Sequence, residues 1–140
     1  MVDYKKLSQK NSEKLQKAIQ HLKYSFNKVK TLSTGIHVLK EDQLADWESF
    51  IARFSRASDV YFMKYLRTKI LIQDPGFHGS FIDLLNQAEK LNLIDHTEPW
   101  LEMRDLRNKA AHEYDDEHLE GLFIKIKELA PLLIELEKKI

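Results

Sequence analysis

At 140 residues the chain is long enough to bury a real core and short enough to be read as one domain, 1–140. Basic and acidic side chains balance at 22 each, so the totals do not announce a nucleic-acid binder, and a 43% hydrophobic content keeps the chain away from disorder. The absence of cysteine excludes a disulfide framework, a thiolate metal site and a cysteine nucleophile.

No apolar run approaches the ~18 residues of a membrane span, and Met1-Val2-Asp3-Tyr4-Lys5-Lys6 lacks the apolar core of a signal peptide. A cytoplasmic protein is expected. The first helix is expected over 4–32, where Leu15, Ile19, Leu22, Phe26 and Val29 recur at steps of three and four. Its charge is lopsided: residues 1–30 hold eight lysines against Asp3 and Glu13, which reads first as a solvated face, with a role in binding RNA or phosphate as the alternative. Ser33-Thr34-Gly35 breaks the pattern, with Gly35 expected as the C-terminal cap.

Asp42 is expected to cap the second helix, which Asp74-Pro75-Gly76 ends. Leu44, Trp47, Ile51, Phe54, Ser58, Tyr61 and Tyr65 keep a three/four alternation, and Phe50, Ala57, Phe62 and Leu66 widen it. A face this broad touches more than one neighbour, so this helix is the expected centre of a bundle. Ser80 can cap a shorter third helix, with Phe81, Leu84, Leu85, Ala88 and Leu91 inward. Thr97 and Pro99 signal a fourth, carrying Trp100, Met103 and Leu106. Asp115 or Asp116 opens a fifth, striped by Leu119, Leu122, Ile126, Leu129, Leu133, Leu136 and Ile140, with Pro131 expected to kink or restart it. Neither a strand-like alternation nor a repeat occurs. The fold class is all-α, an up-and-down bundle of four to five helices.

Residues 100–114 are the segment whose polar side chains look chosen for chemistry. Arg107, Asn108, His112 and Tyr114 bring a fixed cation, an amide, an imidazole and a phenol within eight positions, with Ala110 and Ala111 between them. On a straight helix Arg107 and His112 lie about 140° apart. They share a site only if the helix bends or ends between them, if Arg107 reaches around, or if a second chain completes the site. One reading is a polar network that ties the helices together, with Asp59 as the acidic partner an arginine needs. The other is a phosphodiester site. Arginine presents a forked donor to phosphate oxygens, imidazole moves protons near neutrality, asparagine orients the group, and a tyrosine ring donates a hydrogen bond or stacks on a base. Such a set can cleave RNA without metal, by removing the ribose 2′-OH proton and stabilising a phosphorane-like transition state. No cofactor is called for and no metal site is expected. The acidic run Asp115, Asp116, Glu117 and Glu120 suits a helix first turn, and the other histidines (His21, His37, His78, His96, His118) lack ligand spacing.

Arg107-Asn108-x-x-x-His112-x-Tyr114 near the C-terminal end of an all-helical chain resembles the HEPN family. The likeness is closest to the small members paired with minimal nucleotidyltransferases, the nucleotidyltransferase substrate-binding proteins. A weaker match is Arg53-Phe54 followed by Asp59; a tryptophan common on that helix is Phe62 here. The resemblance implies a bundle of four or five helices that forms a symmetric homodimer with two copies of the motif lining one groove. It further implies a metal-independent ribonuclease acting as the toxin of a toxin–antitoxin pair. Carried over, Arg107 would hold phosphate, His112 would be the acid/base, Asn108 would support the motif, and Tyr114 would be the residue to which the partner nucleotidyltransferase attaches nucleotide. The alternative is a non-catalytic module that docks the nucleotidyltransferase. It is favoured by the acids Asp105, Glu113 and Asp115, which offset Arg104 and Lys109 around the motif.

Overall fold

The first apolar stripe is realised as helix α1 (Tyr4–Val29) in the computed structural model, which describes residues 2–112 and 115–140. Asp3 caps it, its carboxylate accepting the Lys6 N–H at 3.1 Å. Leu15, Ile19, Leu22 and Val29 are fully buried, and Phe26 packs against the core more loosely. The helix ends short of position 32. Lys30 takes the C-cap position, and Leu32 N–H closes a tight bond to the Val29 carbonyl. Gly35 is not the cap that was expected: its φ of −75° is ordinary extended backbone before a short 3-10 turn, Ile36–Val38. That loop is anchored elsewhere, by the Ile36 N–H donating to Glu120 Oε1 at 3.1 Å.

Helix α2 (Glu41–Val60) starts one residue before the expected Asp42. Lys40 stands at the cap, its N–H held by Gln43 Oε1 at 2.9 Å, while Glu41 and Asp42 fall in the first turn, where the helix dipole favours acids. Its backbone continues through a π-helical turn, Tyr61–Leu66, into α3 (Arg67–Gln73), so 41–73 is one rod. The π turn explains the double stripe of this segment. Phe50, Phe54, Ala57 and Tyr61 form one buried row, and Phe62, Leu66 and Ile70 form a second that starts one residue later. A π turn inserts one residue, and Tyr61 and Phe62 both point inward. The Lys64 carbonyl in that turn accepts three donors: the Arg67 N–H, Thr68 Oγ1 at 2.6 Å and Asn11 Nδ2 at 3.3 Å.

Helix α4 (Phe81–Lys90) opens with the expected Ser80, in a reciprocal box with Asp83. Asn92, in the left-handed region at φ 61°, turns the chain toward α5 (Glu98–Ala110), with Pro99 in its first turn. Helix α6 (Asp116–Ile134) is capped by Asp115, runs through Pro131 without restarting, and tightens into a 3-10 turn, Glu135–Lys138. The described residues thus form five helical rods and no strand, an all-α bundle. No described helix is long and apolar enough to cross a membrane.

Two tryptophans pin the central rod at opposite ends. Trp47 stacks flat on Phe123 of α6, centroids 4.6 Å apart and planes 6° from parallel, and donates its indole N–H to the Ser33 carbonyl at 3.0 Å. At the other end Phe62 meets Phe81 and Trp100 edge-on. Trp47→Ala should cost about 3–5 kcal/mol in urea unfolding, because both the ring volume and the aromatic stack are lost. Asp115 gives a pH signature. The His118 backbone N–H first, then contacts with its ring, hold the Asp115 carboxyl below its usual range. A depressed carboxylate contributes stability above about pH 4 and loses it as pH falls through the depressed value. Asp115→Asn should therefore make the acid limb of the stability curve shallower than in the wild type.

Candidate active site

Helix α5 brings Arg107 to the central rod because Trp100, Met103 and Leu106, one stripe at steps of three, are buried against the core. Arg107 lies next to Leu106, at the edge of that stripe. Its fork closes on Asp59 of α2, with Nε 2.8 Å from Oδ1 and Nη2 2.7 Å from Oδ2. Both side chains remain about one third exposed. Hydrogen bonding to Asp59, then its charge, raises the pKa of Arg107, whose guanidinium is a permanent cation in any case. Arg104 stands 3.9 Å from the same carboxylate and lies over the Phe81 ring. Two of five guanidinium donors of Arg107 are used on Asp59, which leaves Nη1 and one Nη2 N–H for another acceptor.

Helix α5 ends at Ala110. Beyond it the Ala111 and His112 N–H groups bond back only three residues, to the carbonyls of Asn108 and Lys109. His112 is therefore off the helix, and the 140° separation expected on a straight helix does not apply. Arg107 and His112 line one groove of about 530 Å³ within a single chain. Of the three routes the sequence left open, the helix ending between the two residues is the one found. A second subunit is not required to bring them together. The exposed Ala111 and half-buried Ala110 lie between them, where a larger side chain would fill the opening.

The opposite wall is α2. Leu44, Glu48, Ile51 and Ser55 follow at steps of four, three and four, and Leu119 and Leu122 of α6 close the end. Leu44 and Ile51, read from sequence as core, are only partly buried; the residues sealed behind them are Trp47, Phe50 and Phe54. Glu48 and Ser55 were not singled out from sequence. The signal was available, since they share the three/four register of Leu44 and Ile51 and break it with polar groups. Asn108 is exposed and does not line the groove; its carbonyl closes the turn after α5. Tyr114 lies outside the described residues. Arg53 turns the other way, donating to Ser25 Oγ at 2.9 Å and the His21 carbonyl at 3.2 Å, so the Arg-Phe pair ties α2 to α1 and fills the core. Among the described residues no group of three or more His, Asp or Glu is placed to hold a metal.

A double-mutant cycle on Asp59→Ala and Arg107→Ala tests the fork. The pair is partly solvated, so a coupling of about 0.5–1 kcal/mol is expected, shrinking as salt is raised. A coupling indistinguishable from zero at low salt would contradict the bidentate geometry.

Comparison with known proteins adds one match. The family model described as nucleotidyltransferase substrate binding protein like matches residues 10–140, the whole bundle from the second turn of α1 onward. No match was found among curated proteins or among solved structures. A model that spans the groove and nearly all of the helices shows that the chain belongs to the nucleotidyltransferase substrate binding protein-like family.

Proposed function

We propose that the chain works with a partner nucleotidyltransferase as the HEPN-type member of a toxin–antitoxin pair, and that it cleaves RNA in the Arg107–His112 groove without a metal ion. The family description implies the nucleotidyltransferase. The observation that carries the chemistry is the shared groove: a guanidinium held in place by Asp59 and an exposed imidazole open onto one space. The imidazole takes the proton from a ribose 2′-OH, and the freed oxygen attacks the adjacent phosphorus. The bond from phosphorus to the 5′-oxygen breaks, leaving a cyclic phosphate. The open donors of Arg107 stabilise the charge that gathers on the phosphoryl oxygens.

An in-line displacement places the entering and leaving oxygens on opposite sides of phosphorus. One imidazole serves one side. A symmetric homodimer would supply a second His112 to protonate the departing 5′-oxygen, so the dimer is assigned to completing the acid/base pair rather than to joining Arg107 with His112. In this reading Tyr114, two residues past the imidazole, is where the nucleotidyltransferase attaches nucleotide. Its phenol oxygen attacks the α-phosphorus of a nucleoside triphosphate, loses its proton and releases pyrophosphate.

A second reading, a non-catalytic module that docks the nucleotidyltransferase, is favoured by the groove's walls. Leu44, Ile51, Leu119 and Leu122 are aliphatic, and Arg107 already has a carboxylate partner. Incubation with total RNA in EDTA separates the two. Wild type should cut, His112→Ala should lose about 10²–10⁴-fold and Arg107→Ala about 10²–10³-fold. Equal cutting by wild type and His112→Ala rejects the ribonuclease assignment. Intact RNA together with co-purification of a nucleotidyltransferase establishes the docking module instead.

A further inference from the structure

The lysine excess of α1 is not absorbed by the groove, and the structure organises it. At about 100° per residue, Lys6, Lys10, Lys14, Lys17 and Lys28 fall within about 40° of one line along the helix, and Lys6 to Lys28 spans about 33 Å. All five are exposed. His21 and Tyr24 continue the same line between Lys17 and Lys28. The neighbouring rod adds two cations. The Asn11 side chain bonds the Lys64 carbonyl at 3.3 Å, which seats Lys64 beside the turn of α1 that carries Lys10 and Lys14. Arg53 reaches α1 through Ser25 and the His21 carbonyl.

These charges are poorly compensated. Among the described residues, Lys6, Lys10, Lys14, Lys17 and Lys64 have no carboxylate within 4.0 Å, whereas Lys28 is 3.8 Å from Asp46. Glu13 is the one acid on α1 itself, at the edge of the line. The crowding is felt: Lys64 first, with partial desolvation and Lys10 after it, pulls Lys14 below the ordinary lysine range. Packing like charges together costs free energy that a polyanion recovers. Beside them Tyr24 stands 59% exposed, its ring flanked by the Lys28 ammonium at 5.2 Å and the Arg53 guanidinium at 5.7 Å from the centroid. A cationic track with an aromatic ring at one end is how single-stranded nucleic acid is held without sequence preference.

We infer that the outer face of α1, from Lys6 to Lys28 with Arg53 and Lys64, is a docking track for single-stranded RNA, its phosphates along the lysines and a base on Tyr24. The choice of RNA as the polyanion rests on the ribonuclease reading. An anionic membrane fits less well, because the apolar side of α1 (Leu15, Ile19, Leu22) is sealed in the core and offers a bilayer nothing to insert.

The test is fluorescence anisotropy of a labelled 20-nucleotide oligouridylate with the full chain carrying His112→Ala, across a salt series. With about five phosphates engaged, log K should fall with log salt at a slope near −3.5. Adding Lys10→Ala, Lys14→Ala and Lys17→Ala, all at exposed positions, should make the slope shallower by about 2. Adding Tyr24→Ala should weaken binding on the order of tenfold with the slope unchanged. The inference is overturned if the triple lysine variant keeps affinity and slope. It is also overturned if phosphatidylserine vesicles or an acidic protein bind the track while the oligonucleotide does not. If wild type leaves RNA uncut yet the lysine variant loses binding, the cleavage reading fails alone. If wild type cuts while the variant binds unchanged, the track fails alone.

Discussion

One inserted residue in the central rod sets the architecture. A regular helix of this length would present a single apolar stripe and pack on the neighbours along one side. The π turn at Tyr61–Leu66 advances the stripe by one position, so the first half of the rod buries Phe50, Phe54 and Ala57 and the second half buries Phe62, Leu66 and Ile70. The first half packs with α6 through Trp47 and Phe123, the second with α4 and α5 through Phe81 and Trp100. Such a turn persists only where its surroundings hold it, and here Asn11 and Thr68 supply side-chain donors to the Lys64 carbonyl.

The Asp59–Arg107 fork is the polar counterpart of that packing. It sits on the solvent edge of the α2–α5 contact, where the pair is only partly desolvated and its contribution to stability is small. Its larger effect is orientation. A free arginine samples many rotamers; one with Nε and Nη2 committed presents Nη1 in a fixed direction. The same bond that a structural reading takes as a tie between helices is thus what a phosphate site needs in order to be pre-organised.

The bundle and most of its boundaries were legible because long three/four stripes and strong stop signals agree, as at Ser80 and at 74–76. Gly35 was misjudged because a glycine after a helix suggests a left-handed cap, whereas α1 had already reached its C-cap at Lys30, five residues earlier, and closed with a tight bond at Leu32. The π turn could have been suspected from adjacent Tyr61 and Phe62, yet two overlapping stripes also describe a merely wide face. Asp59 was found as the partner of Arg107, since an arginine near a core edge demands an acid. Glu48 and Ser55 escaped because polar residues within a stripe look like tolerated exceptions until the partial exposure of Leu44 and Ile51 shows that the stripe faces an opening. The place where α5 stops lay beyond periodicity, because two alanines favour continuation and nothing local announces the turn at His112.

That stop has a consequence for how this groove is lost over evolution. Ala111 is exposed and lines the groove, so replacing it with a leucine or a phenylalanine leaves the core untouched and narrows the space between guanidinium and imidazole. A descendant could in this way keep every motif residue and every helix while the groove closes. The identity of one small side chain, more than the survival of the arginine and histidine, separates an open groove from a filled one.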